Sequence, residues 1–148
     1  MSRRPYYLAL PLLALLATFA ATAGSSHRFQ GNASGAITSA VPSADGVTLT
    51  TSTAGHATQI GRFTRSETLL LNPQTGEFSG QAVFVANNGD QLRALVVGKF
   101  VLPTTAAGSY TFDGGSGRFS NANGTAGFVV LSDDGVNFDV LFRGNILR

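Results

Sequence analysis

VNFDVLFRGNIL, the stretch from Val136 to Leu147, alternates apolar or glycine positions with mostly polar ones. Side chains of a β-strand point to opposite faces with a period of two, whereas an amphipathic helix needs a spacing of three to four. The same alternation runs from Phe78 to Phe84 and from Leu92 to Phe100. The pattern predicts strands whose even-numbered positions face a core. In the first stretch these positions are Val136, Phe138, Val140, Phe142, Gly144 and Ile146.

Residues that favour tight turns separate these runs. Asn, Asp and Gly at 72–76, 87–90 and 132–135 suit hairpins, because they tolerate the positive φ that such turns need. We predict strands at Thr64–Leu71, Glu77–Ala86, Gln91–Leu102, Thr125–Leu131 and Val136–Leu147, with weaker ones at Gly31–Thr38, Val47–Thr53, Ala57–Ile60 and Ser109–Phe112. About eight strands with one apolar face each predict an all-β, antiparallel eight-stranded barrel, with a β-sandwich as the alternative.

An outer-membrane barrel would also show alternating strands, with the apolar face turned to lipid. Such barrels carry interfacial girdles of Trp and Tyr. The chain after residue 23 contains no Trp and the single tyrosine Tyr110. The composition therefore favours a barrel whose apolar face points inward.

Residues 1–23 resemble a secretory signal peptide. Arg3 and Arg4 form a positive start, Leu8–Ala20 is apolar, and Ala21-Thr22-Ala23 suits signal peptidase. A retained membrane anchor is the alternative, but no basic flank follows the apolar run. We expect a single domain at 24–148, secreted or periplasmic, with no stable membrane span after cleavage.

Removal of the signal changes the charge of the chain. Of ten basic residues, the loss of Arg3 and Arg4 leaves eight, which balance the eight acidic ones. A neutral chain without a basic run predicts no binding of nucleic acid. The absence of cysteine excludes thiol catalysis, zinc–thiolate sites and disulfides.

The most distinctive segment is GGSGRFSNANGTA, from Gly114 to Ala126. It resembles the glycine-rich signature of dirigent proteins and the related allene oxide cyclases, which runs Gly-Gly-Thr/Ser-Gly, any residue, Phe, two residues, Ala, one residue, Gly, one residue, Ala. Every fixed position is met. The resemblance implies an eight-stranded barrel with a hydrophobic cavity, assembly as a homotrimer, and a role in steering ring closure or coupling of hydrophobic intermediates. The signature itself carries no catalytic residue, and we expect Phe119 and Ala122 to seal the loop against the barrel end.

Inward-facing phenylalanines are the candidate ligand-binding residues. A barrel of this size is either filled by side chains or holds one small ligand, and both alternatives stay open. If a cavity exists, it would hold a hydrophobic small molecule between Phe78, Phe84, Phe100, Phe138 and Phe142.

Three polar residues are candidates for chemistry. His56 could act as a general acid or base at a cavity mouth, although a solvated histidine is the simpler interpretation. Arg62 and Arg118, each between a glycine and a phenylalanine, could bind a carboxylate or bond backbone carbonyls. The two histidines share no ligand spacing, so we predict no metal site, and no cofactor motif is present.

The inward positions that the alternation assigns are apolar or glycine. An enzyme would need a polar group inside the cavity. This pattern favours a non-catalytic binding or structural module. A cyclase-like or dirigent-like enzyme or auxiliary that steers ring closure or coupling is the alternative.

Overall fold

The structure, a computed structural model, describes residues 24–148. The predicted signal peptide at 1–23 lies outside the described residues. The described chain forms eight strands: β1 Ser26–Ser43, β2 Gly46–Ala57, β3 Gly61–Leu71, β4 Glu77–Ala86, β5 Gln91–Leu102, β6 Thr105–Gly115, β7 Asn123–Leu131 and β8 Asn137–Leu147. A single 3-10 turn, Gly117–Phe119, lies between β6 and β7. No helix within residues 24–148 is long and apolar enough to cross a membrane.

Each strand pairs antiparallel with the next along the chain, and β1 pairs with β8 to close the barrel. Closure leaves no unpaired sheet edge, so every strand has a hydrogen-bonded neighbour on both sides. The predicted all-β, antiparallel eight-stranded barrel is therefore confirmed, and the β-sandwich is excluded.

Alternation along the strands places the core as predicted. The even-numbered Phe78, Ala82 and Phe84 on β4 are buried, as are Val140, Phe142 and Ile146 on β8. Phe100 and Val136 differ, because 37% of the first and 50% of the second stay exposed at one end of the barrel. Residues at the rim of the barrel can therefore be at inward positions of the alternation without being fully buried.

The predicted strand Ala57–Ile60 is wrong. Residues 46–57 form one continuous strand, and the chain turns directly after it. Gln59 adopts a positive φ of 70° and Gly61 one of 74°, which reverses the chain before β3. The other predicted strands all fall within observed ones, although β1 and β6 are longer than expected and Val136 precedes β8.

One end of the barrel is packed shut. Phe119 from the 3-10 turn is fully buried and Ala122 nearly so, which confirms that this loop seals the barrel end. Phe29, Phe63 and Phe84 are buried too, with the ring centroids of Phe63 and Phe84 5.2 Å apart. The opposite end carries the β1–β2, β3–β4, β5–β6 and β7–β8 connections, and it is there that space remains.

Candidate functional site

A cavity of about 620 Å³ opens at this second end of the barrel. Most of its wall is apolar, as the strands contribute inward-facing aliphatic and aromatic side chains. Phe78 and Phe128 stack at a centroid distance of 6.4 Å, and Phe100 contacts Phe78 edge-on at 5.6 Å. The apolar wall includes Leu49, Leu69, Leu71, Ala106, Val130 and Val140. Its volume lies within the range of small-molecule pockets.

The five predicted cavity phenylalanines divide into two groups. Phe78, Phe100 and Phe138 line the cavity. Phe84 and Phe142 lie deeper, where they pack against the ring of Phe29 at 6.0 and 5.4 Å, and they do not line the cavity. The cavity therefore occupies one half of the interior, and the rings packed around Phe29 occupy the other.

Four polar side chains form the floor of the cavity: Thr51, Arg65, Glu67 and Tyr110. All four are buried, with exposed fractions between 1% and 7%. We call this group the polar floor. It separates the hollow half from the packed half, because Tyr110 contacts Phe84 and Phe142 on one side and Phe128 on the other.

Strand register brings the members of the polar floor together. Glu67 on β3 is the direct partner of Thr51 on β2, and Arg65 lies two residues earlier on the same inward face of β3. Tyr110 on β6 comes from a strand that is not hydrogen-bonded to β3. A hydrogen bond from Arg65 Nη1 to the Tyr110 hydroxyl therefore spans the interior of the barrel.

Charge is balanced within the polar floor. Arg65 Nε lies 3.3 Å from Glu67 Oε1. The Tyr110 hydroxyl donates to Glu67 Oε1 at 3.3 Å, and the Thr51 hydroxyl donates to Glu67 Oε2 at 3.2 Å. The guanidinium also faces two aromatic rings, with Cζ 5.7 Å from the centroid of Phe84 and 5.6 Å from that of Tyr110. Such pairing offsets part of the cost of removing two charges from water.

Burial raises the pKa of the Tyr110 phenol well above its ordinary value. The nearby Glu67 carboxylate acts in the same direction, while the positive charge of Arg65 opposes the shift. Desolvation dominates because a buried phenolate would lose its hydration. Tyr110 therefore stays protonated at neutral pH and remains a hydrogen-bond donor.

Some hydrogen-bonding capacity in this region is unused. Within residues 24–148, the buried side-chain atoms Arg65 Nε and Thr53 Oγ1 have no hydrogen-bond partner. The Nε atom is close to Glu67 but is not aligned with it for a hydrogen bond. Buried polar atoms without partners are uncommon in folded proteins.

The polar floor adds charged and polar groups to an interior in which the sequence assigned only apolar or glycine positions. Arg65, Glu67 and Tyr110 were absent from the candidate residues. Phe63, Leu69 and Leu71 share the alternation of Arg65 and Glu67 on β3, which was the available signal. Two charged residues on that face weakened the signal, because charged side chains are seldom buried without partners.

The predicted polar candidates lie elsewhere. His56 and Arg62 are exposed cross-strand partners on the outer surface, near the sealed end. Arg118 lies at the sealed end, where its Nη2 donates to the carbonyl of Ile60 at 3.2 Å and its Nε lies 3.6 Å from Asp90. None of the three lines the cavity. Arg118 binds one carbonyl and one carboxylate, instead of the several carbonyls that a purely backbone role would need.

These features define the class of the protein: a closed antiparallel barrel, sealed at one end, with a half-open cavity above a buried polar floor. Among solved structures, the chain is similar to that of a pterocarpan synthase dirigent protein, with a TM-score of 0.64 and 14% sequence identity. The match covers 98% of this chain and 99% of that one. The dirigent-like fold expected from the glycine-rich segment is thus confirmed.

The sequence itself gives no comparable match. No protein-family model matches the chain, and no curated protein sequence matches it. At 14% identity, the structural likeness establishes the fold and leaves the ligand and the reaction to be argued from the cavity.

Proposed function

We propose that this protein is an exported barrel that binds one hydrophobic small molecule in the half-open cavity. The observation that carries the proposal is a space of about 620 Å³ with a largely apolar wall, beside a half that is fully packed. An apolar ligand entering such a space removes its own surface and the cavity wall from water. Apolar burial supplies affinity, and the polar floor orients the ligand.

Single-tryptophan variants test this proposal, because the chain contains no Trp. Leu69 lines the cavity and is 6% exposed, whereas the adjacent Leu70 points outward and is 41% exposed. Leu69→Trp places an indole in the cavity wall, and Leu70→Trp is its matched control. Bromobenzene is an apolar probe whose heavy atom quenches indole fluorescence on contact.

We expect bromobenzene to quench the Leu69→Trp variant with saturation, as a binding site fills. The Leu70→Trp variant should show only weak, linear collisional quenching. Equal, non-saturating quenching in both variants, with both folded, would argue against a ligand-accessible cavity.

The structural neighbour is described as a pterocarpan synthase. Steering of ring closure or coupling of a reactive intermediate is accordingly the second candidate function. The polar floor favours it, since Arg65, Glu67 and Tyr110 place charge and a proton donor beside the cavity. Biosynthetic genes next to the coding gene would support this candidate, and a neighbourhood without them would leave the binding role preferred.

Export is a proposal that rests on residues 1–23. Signal peptidase cleavage after Ala23 would leave a mature chain that starts at Gly24. Mass spectrometry of protein recovered outside the cytoplasm tests this directly. Recovery of the intact chain with Met1 or Ser2 at its start would contradict cleavage.

A homotrimer is likewise a proposal. An apolar outer surface on β5, β7 and β8 supports it, because Leu95, Val97, Val129 and Leu141 are each 42–55% exposed. Surfaces of this kind commonly form interfaces between subunits. Sedimentation should give a monomer for Val97→Arg and an assembly for the control Ser66→Arg, which changes the outer surface of β3. A monomeric unmodified chain would refute the proposal.

A further inference from the structure

Hydrogen-bond donors outnumber available acceptors at the polar floor. A guanidinium offers five N–H groups and accepts nothing. Arg65 Nη1 donates to Tyr110, and its Nε has no hydrogen-bond partner although it is buried. Arg65 lines the cavity. A ligand atom that accepts hydrogen bonds would therefore complement this guanidinium.

Both carboxylate oxygens of the polar floor already accept a hydrogen bond. Glu67 Oε1 receives the Tyr110 hydroxyl and Oε2 receives the Thr51 hydroxyl. The same carboxylate is paired with Arg65 at 3.3 Å. A ligand that presents only donors would have to share a carboxylate oxygen that already accepts one hydrogen bond, so it gains less from this site than a ligand that presents an acceptor.

The net charge of the polar floor is zero, because the positive Arg65 is balanced by Glu67. A ligand carboxylate placed here would meet Glu67 in a buried, weakly screened environment, and it would lose its own hydration. Tyr110 stays protonated and neutral, so it leaves this charge balance unchanged. Electrostatics thus disfavours an anionic group and tolerates a neutral one.

We propose that the polar floor recognises a neutral hydrogen-bond acceptor, such as a carbonyl or ether oxygen, on an otherwise apolar ligand, and that it disfavours a carboxylate. This inference rests on the proposed binding function and deepens it. Arg65 is then the residue that determines specificity by donating to the ligand, and Glu67 is the residue that excludes anions.

Three probes with the same ring system separate these contributions: acetylnaphthalene with a carbonyl, ethylnaphthalene without a polar group, and naphthoate with a carboxylate. Their affinities are measured by calorimetry at neutral pH for the unmodified protein and three variants. The apolar-floor variant combines Arg65→Met, Glu67→Leu and Tyr110→Phe. Glu67→Gln removes the negative charge alone, and Arg62→Met is the control on the outer surface of the same strand.

On the unmodified protein we expect naphthoate to bind most weakly. The affinity ratio of acetylnaphthalene to ethylnaphthalene should fall by about 2- to 10-fold in the apolar-floor variant, which corresponds to one hydrogen bond. That ratio should be unchanged in Arg62→Met. Glu67→Gln should strengthen naphthoate binding by about 10-fold or more, because Arg65 then lacks its counter-charge.

Naphthoate as the tightest probe on the unmodified protein would overturn the inference, as would an unchanged ratio in the apolar-floor variant. Both results leave cavity binding intact. Failure of all three probes to bind the folded protein would instead refute the proposed function and this inference with it. If Glu67→Gln does not fold, the probe ranking and the apolar-floor variant still decide the question.

Discussion

Replacing Arg65 alone should lower the stability of the fold far more than replacing Arg65 and Glu67 together. The Arg65 side chain is 1% exposed and that of Glu67 is 7% exposed. In Arg65→Met the Glu67 carboxylate stays buried with only the Thr51 and Tyr110 hydroxyls as partners. Removal of one member of a buried pair costs about 3–5 kcal/mol of the free energy of unfolding. For a domain of this size, the melting temperature should fall by roughly 10–20 °C.

The double variant Arg65→Met/Glu67→Leu removes both charges and fills the space with apolar groups. Replacement of a complete buried pair is often neutral or stabilising. We therefore expect the free energy of unfolding of the double variant to lie within about 1 kcal/mol of that of the unmodified protein. The effects of two substitutions in direct contact do not simply add. Urea unfolding followed by circular dichroism measures both values, with Arg62→Met as the exposed control.

Two results would refute this reasoning. A loss below about 1 kcal/mol for Arg65→Met would mean that the guanidinium is solvated, as exposed ion pairs contribute little. A double variant as unstable as the single one would mean that the cost arises from lost packing and not from an unpaired carboxylate. Either outcome would contradict the interpretation of the polar floor as a buried, charge-balanced group.

Two further predictions concern Arg118 and Tyr110. Arg118→Ala loses the bond to the Ile60 carbonyl and the contact with Asp90. Because the side chain is 39% exposed, the free energy of unfolding should fall by only about 1 kcal/mol, and by near zero in the control Arg62→Ala. Equal melting temperatures for the two variants would contradict this. Folding raises the pKa of Tyr110, so the unfolded chain loses the phenolic proton first as the pH rises. This group should therefore leave the free energy of unfolding unchanged below about pH 10. Above that pH it should lower the free energy of unfolding by about 1.4 kcal/mol per pH unit. In the 24–148 chain, phenolate absorbance should appear only with unfolding, and a phenolate titration near pH 10 in the folded protein would contradict burial.

The fold was predictable where large apolar residues alternate with polar ones. On β4 and β8 the phenylalanines leave one acceptable orientation, and glycine-containing turns mark the strand ends. The turn before β3 was missed because its first positive φ belongs to Gln59, a residue type that rarely adopts it. Sequence patterns detect a turn through its usual residues, and here an unusual one is used.

The cavity was predictable only in part. Phe78, Phe100 and Phe138 were assigned to it from alternation, but alternation does not tell how deep a residue lies, and so Phe84 and Phe142 were assigned to it as well. The bond between Arg65 and Tyr110 joins residues 45 positions apart on strands that do not pair. A charged residue is acceptable inside a barrel only when such a partner exists, and local sequence does not contain that information.

Occupation of the hollow half of the barrel by a ligand can be observed through nuclear Overhauser contacts between acetylnaphthalene and the methyl groups of the 24–148 chain. We expect contacts from the probe to Leu49, Leu69 and Val130, which line the cavity, and none to Ile146, which is fully buried in the packed half. Contacts confined to outward-facing methyl groups such as those of Val97 would contradict this claim. So would the absence of contacts at acetylnaphthalene concentrations that saturate the protein in calorimetry.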